Sequence, residues 1–151
     1  MGLRETLGVH LKEAMKAKDV RRLATVRLMI AAIQSLENAS ASGKVSEEEM
    51  QTALMKMIRQ RKESAETYDK ASRMDLAIIE REEIVIIEAY LPTQMSADDL
   101  RTAVAAVVQE LGAAGPKDMG RVMGALKERF AGRMDFGKAN GLVKELISAP
   151  K

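Results

Sequence analysis

Cationic side chains and glycines crowd the last third of this 151-residue chain. The cations are Lys117, Arg121, Lys127, Arg129, Arg133, Lys138 and Lys144, and the glycines are Gly120, Gly124, Gly132, Gly137 and Gly141. Such residues recognise polyanions. Lysine neutralises a phosphate as a point charge, and arginine grips one with a planar fork. Glycine inside a helix costs about 1 kcal/mol relative to alanine. Its repeated use implies a close backbone approach, either to a neighbouring helix or to a partner. The spacings Gly120-x-x-x-Gly124 and Gly137-x-x-x-Gly141 fit both readings. The seven cations cannot share one face. Lys117 and Arg121 lie one helical turn apart, whereas Lys138 and Lys144 do not follow that register. A subset must do any binding, and the rest are ordinary solvated charges.

Bond-making chemistry finds little to work with. The absence of cysteine excludes thiol catalysis, disulfides and zinc–thiolate sites. His10 is the only histidine, and it stands beside Leu7, Leu11 and Ala14, which suits the edge of a core better than catalysis. No Walker-type phosphate loop, dinucleotide fingerprint, Glu-x-x-His word or calcium loop occurs. Serine and lysine are plentiful, but no spacing singles out a nucleophile. The expectation is a chain with no catalytic residue, metal or cofactor of its own. Arg59-Gln60-Arg61-Lys62 reads as a helix surface, with Arg59 against Glu63 and Lys62 against Glu66. Glu80, Glu83 and Glu88 read as a solvated helix face. With 3% aromatic residues and no tryptophan, stacking on single-stranded bases is not the main mode of binding. The 11 methionines read as filler for irregular helical cores.

The elements that must position these residues are all helices, because no stretch shows a period of two. Leu3, Leu7, Leu11 and Ala14 share the face of a first helix. Asp19 caps a second, with Leu23, Val26, Ile30 and Ile33 inward, ending in a loop at Asn38–Gly43. Ser46 and Glu49 form a capping box for a third helix through Met50, Leu54, Met57, Ile58, Ala65 and Tyr68. A fourth carries Ile79, Ile86, Ile87 and Tyr90 inward and stops at Leu91-Pro92. Ser96 with Asp99 starts a fifth, with Leu100, Val104, Val107, Val108 and Leu111, stopped by Gly112. Pro116 suits the first turn of a sixth helix, with Met119, Val122, Met123, Leu126 and Phe130. Asp135 caps a seventh, with Ala139, Leu142, Val143, Leu146 and Ile147. The expected architecture is all-α: a four-helix body over residues 1–92 and a three-helix bundle over 96–149, with a short join at Pro92–Met95. No tandem repeat is evident.

The formal net charge is only +2, but like charges are segregated. Residues 1–27 hold seven basic and three acidic side chains, and residues 75–99 hold seven acids against Arg81 alone. No apolar run approaches the roughly 20 residues of a membrane span, and the N-terminus shows no apolar leader core. The expected location is the cytoplasm.

Six words in order carry a resemblance: Arg59-Gln60-Arg61-Lys62-Glu63-Ser64, Arg73-Met74-Asp75-Leu76-Ala77, Tyr90-Leu91-Pro92-Thr93-Gln94, Met119-Gly120-Arg121-Val122-Met123, Gly132-Arg133-Met134-Asp135 and Val143-Lys144-Glu145-Leu146. Together they resemble the YqeY family from end to end. The C-terminal module is also similar to the tail of the B subunit of the glutamine-dependent aminoacyl-tRNA amidotransferase (GatB). In that subunit a helical tail helps hold tRNA, and the chemistry lies in a separate domain with no counterpart here. Related modules are fused to some glutaminyl-tRNA synthetases. The resemblance therefore implies a non-catalytic accessory role beside tRNA or a tRNA-processing or aminoacylation enzyme. It also carries the family label of a carbon–nitrogen ligase with glutamine as amido donor, a reaction for which the chain lacks the parts. The rival function is a protein-docking module that binds no RNA. Two positions depart from the family pattern: Ser72 stands where glycine is common, and Met134 replaces a small residue.

Overall fold

The computed structural model describes residues 2–148. These form seven α-helices: α1 (Leu3–Ala17), α2 (Val20–Ala39), α3 (Glu47–Lys70), α4 (Met74–Glu88), α5 (Ala97–Glu110), α6 (Met119–Phe130) and α7 (Phe136–Ser148). A single 3-10 turn, Pro116–Asp118, leads into α6. No strand occurs among the described residues, so the protein is all-α. The chain divides into two compact units, Met1–Pro92 and Thr93–Lys151.

Local chemistry sets the helix ends. The Asp19 carboxylate accepts from the Arg22 amide at 3.1 Å, and the Ser46 hydroxyl accepts from the Glu49 amide at 3.1 Å. Each bond satisfies an otherwise orphaned helix-start donor. The complete reciprocal box forms at Ser96 and Asp99. Between α1 and α2 the chain reverses through Lys18 at φ 54°, and between α3 and α4 through Ser72 at φ 58°. Ser72 thus occupies the left-handed conformation that glycine adopts without a Cβ penalty. Arg73 follows, its guanidinium holding Asp75 through two bonds at 3.0 and 3.1 Å.

The core of the first unit contains Leu7, Val26, Met29, Ile33, Leu54 and Ile87, all fully buried, with Met50, Met57, Ile58 and Ile84 beside them. Fully burying one such side chain contributes about 1.5–3 kcal/mol. Two details differ from the sequence expectation. Met29 is fully buried where Ile30 was expected, and Ile84 is more buried than Ile79 or Ile86. Helix α2 packs against α1, α3 and α4, so its buried arc is wider than a single stripe and takes in Thr25 as well. Helix α4 ends at Glu88, before the expected stop at Leu91-Pro92. Its last turn tightens, with Tyr90 and Leu91 amides donating to the carbonyls three residues back.

In the second unit α5, α6 and α7 enclose Leu100, Val104, Val107, Val122, Leu126, Met134, Ala139 and Val143. Of the expected short join Pro92–Met95, residues Thr93, Gln94 and Met95 are bonded into this unit. The Met95 amide donates to the Arg133 carbonyl at 3.0 Å, Gln94 Nε2 to the Gly132 carbonyl at 2.6 Å, and Arg133 Nε to the Thr93 carbonyl at 3.0 Å. The outer limit of the expected module, residue 149, lies outside the described residues.

Candidate nucleic-acid interface

Helix α6 buries Val122, Met123 and Leu126 and turns Gly120, Arg121, Gly124, Lys127 and Glu128 to solvent. Helix α7 buries Ala139, Val143 and Ile147 and turns Gly137, Lys138, Gly141, Lys144 and Glu145 to solvent. The two outer faces have the same order. Asp118-Met119-Gly120-Arg121-Val122-Met123-Gly124-Ala125-Leu126-Lys127-Glu128 aligns without a gap on Asp135-Phe136-Gly137-Lys138-Ala139-Asn140-Gly141-Leu142-Val143-Lys144-Glu145. Asp, both Gly, Lys and Glu are identical. This local likeness of the two helices is shorter than the tandem repeat that the sequence reading looked for. Comparing the two helices position by position from Asp118 and Asp135 would have found it, although only Asp135 caps its helix through its side chain.

Of the seven expected cations, all are exposed, but they fall into two groups. Arg129 is bound to Glu110 of α5 by two bonds at 2.7 and 2.8 Å. Arg121 reaches back to Asp118 at 3.2 Å, and Arg133 donates to the Thr93 carbonyl. Lys117, Lys127, Lys138 and Lys144 form no ion pair among the described residues. Lys127 and Lys144 occupy equivalent repeat positions, each one turn beyond an exposed glycine. The bond from Arg129 holds the Glu110 carboxyl below its usual range. Asp118 is also held low, first by the Ala114 amide that donates to it at 3.0 Å and, with opposing desolvation, by the Arg121 charge.

The glycines also divide. A Cβ added at Gly120, Gly124 or Gly141 would meet nothing within 4 Å. Tight packing inside the bundle therefore does not explain these three, and their bare backbone faces open space. Gly132 has a conformational cause: φ is 76°, it is buried, and its carbonyl takes the Gln94 bond. The Gly137 amide donates to the Asp135 carboxylate at 3.0 Å, beside Lys138 at 3.2 Å, and this caps α7. Met134 is fully buried in the core of the unit, so its side chain fills that core.

In the rest of the chain the charged residues of α3 and α4 differ from their expected roles, whereas the buried methionines keep theirs. Arg59–Glu63 and Lys62–Glu66 are not the ion pairs of α3. Arg61 instead reaches Glu83 on α4 at 2.8 Å, so Glu83 is not part of a solvated face. Burial, with the Glu83 charge beside it, holds Glu80 above the usual carboxylate range. His10 Nδ1 lies 2.6 Å from the Tyr90 hydroxyl. Met29, Met50, Met57, Met123 and Met134 are core residues. Among the described residues no His, Asp and Glu side chains group as metal ligands would, and no helix is long and apolar enough to cross a membrane.

These features define a two-unit, all-helical protein that displays a glycine–lysine face on each of its last two helices. The chain belongs to the YqeY-like protein family, whose pattern matches residues 4–147. It is similar to three fungal proteins, each named altered inheritance of mitochondria protein 41, mitochondrial. That of Clavispora lusitaniae is 36% identical over 97 residues, 64% of this chain and 56% of that protein. That of Vanderwaltozyma polyspora is 38% identical over 81 residues, 54% of this chain and 44% of that protein. That of Candida glabrata is 31% identical over 109 residues, 70% of this chain and 60% of that protein. The chain spans about half the length of the curated relatives it matches. The same comparison overturns the expected cytoplasmic location, because these relatives are named as mitochondrial proteins. The expectation rested on the lack of an apolar leader core and of a membrane span, and on Glu5 and Glu13 as arguments against a transit peptide. None of these reads a compartment directly.

Proposed function

We propose that the C-terminal unit is a non-catalytic docking module for structured RNA, of the tRNA-associated kind that the amidotransferase B-subunit tail suggests. One observation carries this: Gly120, Gly124 and Lys127 recur as Gly137, Gly141 and Lys144 on two solvent faces, with open space over Gly120, Gly124 and Gly141 and no ion pair at either lysine. A bare backbone admits a phosphate or ribose closely, and an unpaired lysine meets its charge without first breaking an ion pair. With few aromatic side chains, recognition follows RNA shape and backbone. Arg129 and Arg121, already bound to acids, are secondary.

The test is titration of tRNA against the full chain and its Lys127→Ala and Lys144→Ala variants at two salt concentrations. Each lost phosphate contact lowers the salt slope by about 1. Arg129→Ala should change binding less than either lysine variant. Binding that ignores both salt and these substitutions sinks the proposal. It would favour protein docking instead, for which the exposed Met74, Ile78 and Val85 of α4 are the supporting feature.

A further inference from the structure

The first unit contains a cleft of about 630 Å³. It runs along α1 past Leu3, Thr6 and His10, with Val85, Ile86 and Tyr90 of α4 opposite. Leu3 and His10 lie two turns apart, so this wall is about 10 Å long. Glu47 closes the Leu3 end, where its carboxylate accepts from the Leu3 amide at 3.3 Å. Arg22 also lines the cleft. Arg4 pairs with Glu37 at 3.6 Å, so the start of α1 lies beside the end of α2. Arg22, in the first turn of α2, therefore lies toward the opposite end from Leu3. The cleft is an open, mostly apolar groove with a few polar groups at its ends, and Val85 on its outer wall stays exposed.

The polar side chains decide the ligand's charge. Thr6 donates to the Gly2 carbonyl at 3.0 Å, Glu47 holds the Leu3 amide, and His10 and Tyr90 hold each other at 2.6 Å. Arg22 alone of the polar lining has a side chain without a partner among the described residues; its backbone amide is the atom that bonds Asp19. Its neighbour Arg21 is engaged with Glu82 and Glu83. The open valence of the cleft is thus one guanidinium at one end, with an apolar wall beside it and a carboxylate at the far end. We propose that this cleft binds an elongated organic monoanion, of the medium-chain carboxylate class, with its head on Arg22 and its apolar body along Val85, Ile86 and Leu3. A second negative charge at the tail would meet Glu47, so the cleft discriminates against dianions of the same length.

The test uses the full chain and octanoate, followed through the methyl resonances of Leu3, Val85 and Ile86. Saturable shifts at about 1 mM are expected, with suberate, its two-headed counterpart, weaker by about tenfold. Arg22→Gln should weaken octanoate by about tenfold. Glu47→Gln should narrow the preference for octanoate over suberate, read as the ratio of the two affinities. Equal shifts with octylammonium, octanoate binding indifferent to Arg22→Gln, or the absence of shifts would overturn the proposal. So would equal shifts at Leu146, an exposed methyl-bearing residue of the second unit, which would mark general adsorption. An unchanged ratio in Glu47→Gln would overturn the assigned orientation.

Discussion

Nε of Arg61 lies 2.8 Å from Oε2 of Glu83, joining α3 to α4 across a largely buried contact. The two side chains are 14% and 12% exposed. Arg61 also donates to the Met57 carbonyl at 3.2 Å, and Arg21 of α2 approaches the other Glu83 oxygen at 3.7 Å. One carboxylate thus ties three helices of the first unit. A sequence word that reads as surface charge, Arg59-Gln60-Arg61-Lys62, has a structural bond at its centre.

Removing that carboxylate leaves a mostly buried guanidinium without its partner. Glu83→Ala should destabilise the first unit by about 3 kcal/mol, and Glu83→Gln by less, because an acceptor remains. Urea unfolding monitored by circular dichroism measures both. A loss under about 0.5 kcal/mol for the alanine variant would mean that the pair behaves as an exposed one.

Ser72 sits at φ 58°, where a Cβ is strained. Ser72→Gly should stabilise the protein by about 0.5 kcal/mol, since relief of strain exceeds the added freedom of the unfolded chain. A shift of the thermal midpoint downward would contradict this.

Gly124 and Gly141 separate folding from docking. A Cβ at either meets nothing within 4 Å, so Gly124→Ala and Gly141→Ala should each stabilise their helix by about 1 kcal/mol. If these backbones approach RNA, the same variants bind tRNA more weakly despite their greater stability. Unchanged binding in both would remove the glycines from the interface while leaving the lysines to be judged separately.

Asp118 gives the second unit a defined acid limb. Its carboxyl is held below the ordinary 3.8, mainly by the Ala114 amide. A depressed carboxyl contributes stability that is present above the ordinary value and lost as pH falls through the lower, folded one. Stability of the wild type should therefore fall below about pH 4, and Asp118→Asn should flatten that part of the curve. An unchanged acid limb would show that the Ala114 bond contributes nothing in solution.

The sequence alone determined what is local. Helix starts at Asp19, Ser46, Ser96 and Asp135 follow from short side chains bonding amides two or three residues on. The all-helical class follows from apolar spacing, and the family from six words in order. The tertiary structure decided what depends on residues far apart in the chain. Whether Met29 or Ile30 is buried depended on how many helices surround α2. Whether Arg129 is a free cation depended on Glu110, which lies on another helix. Whether the α6 and α7 glycines pack closely or stand open depended on which faces of those helices the core takes. Spacing specifies a face, but burial and charge pairing are set by which faces meet, and only the folded chain brings those together.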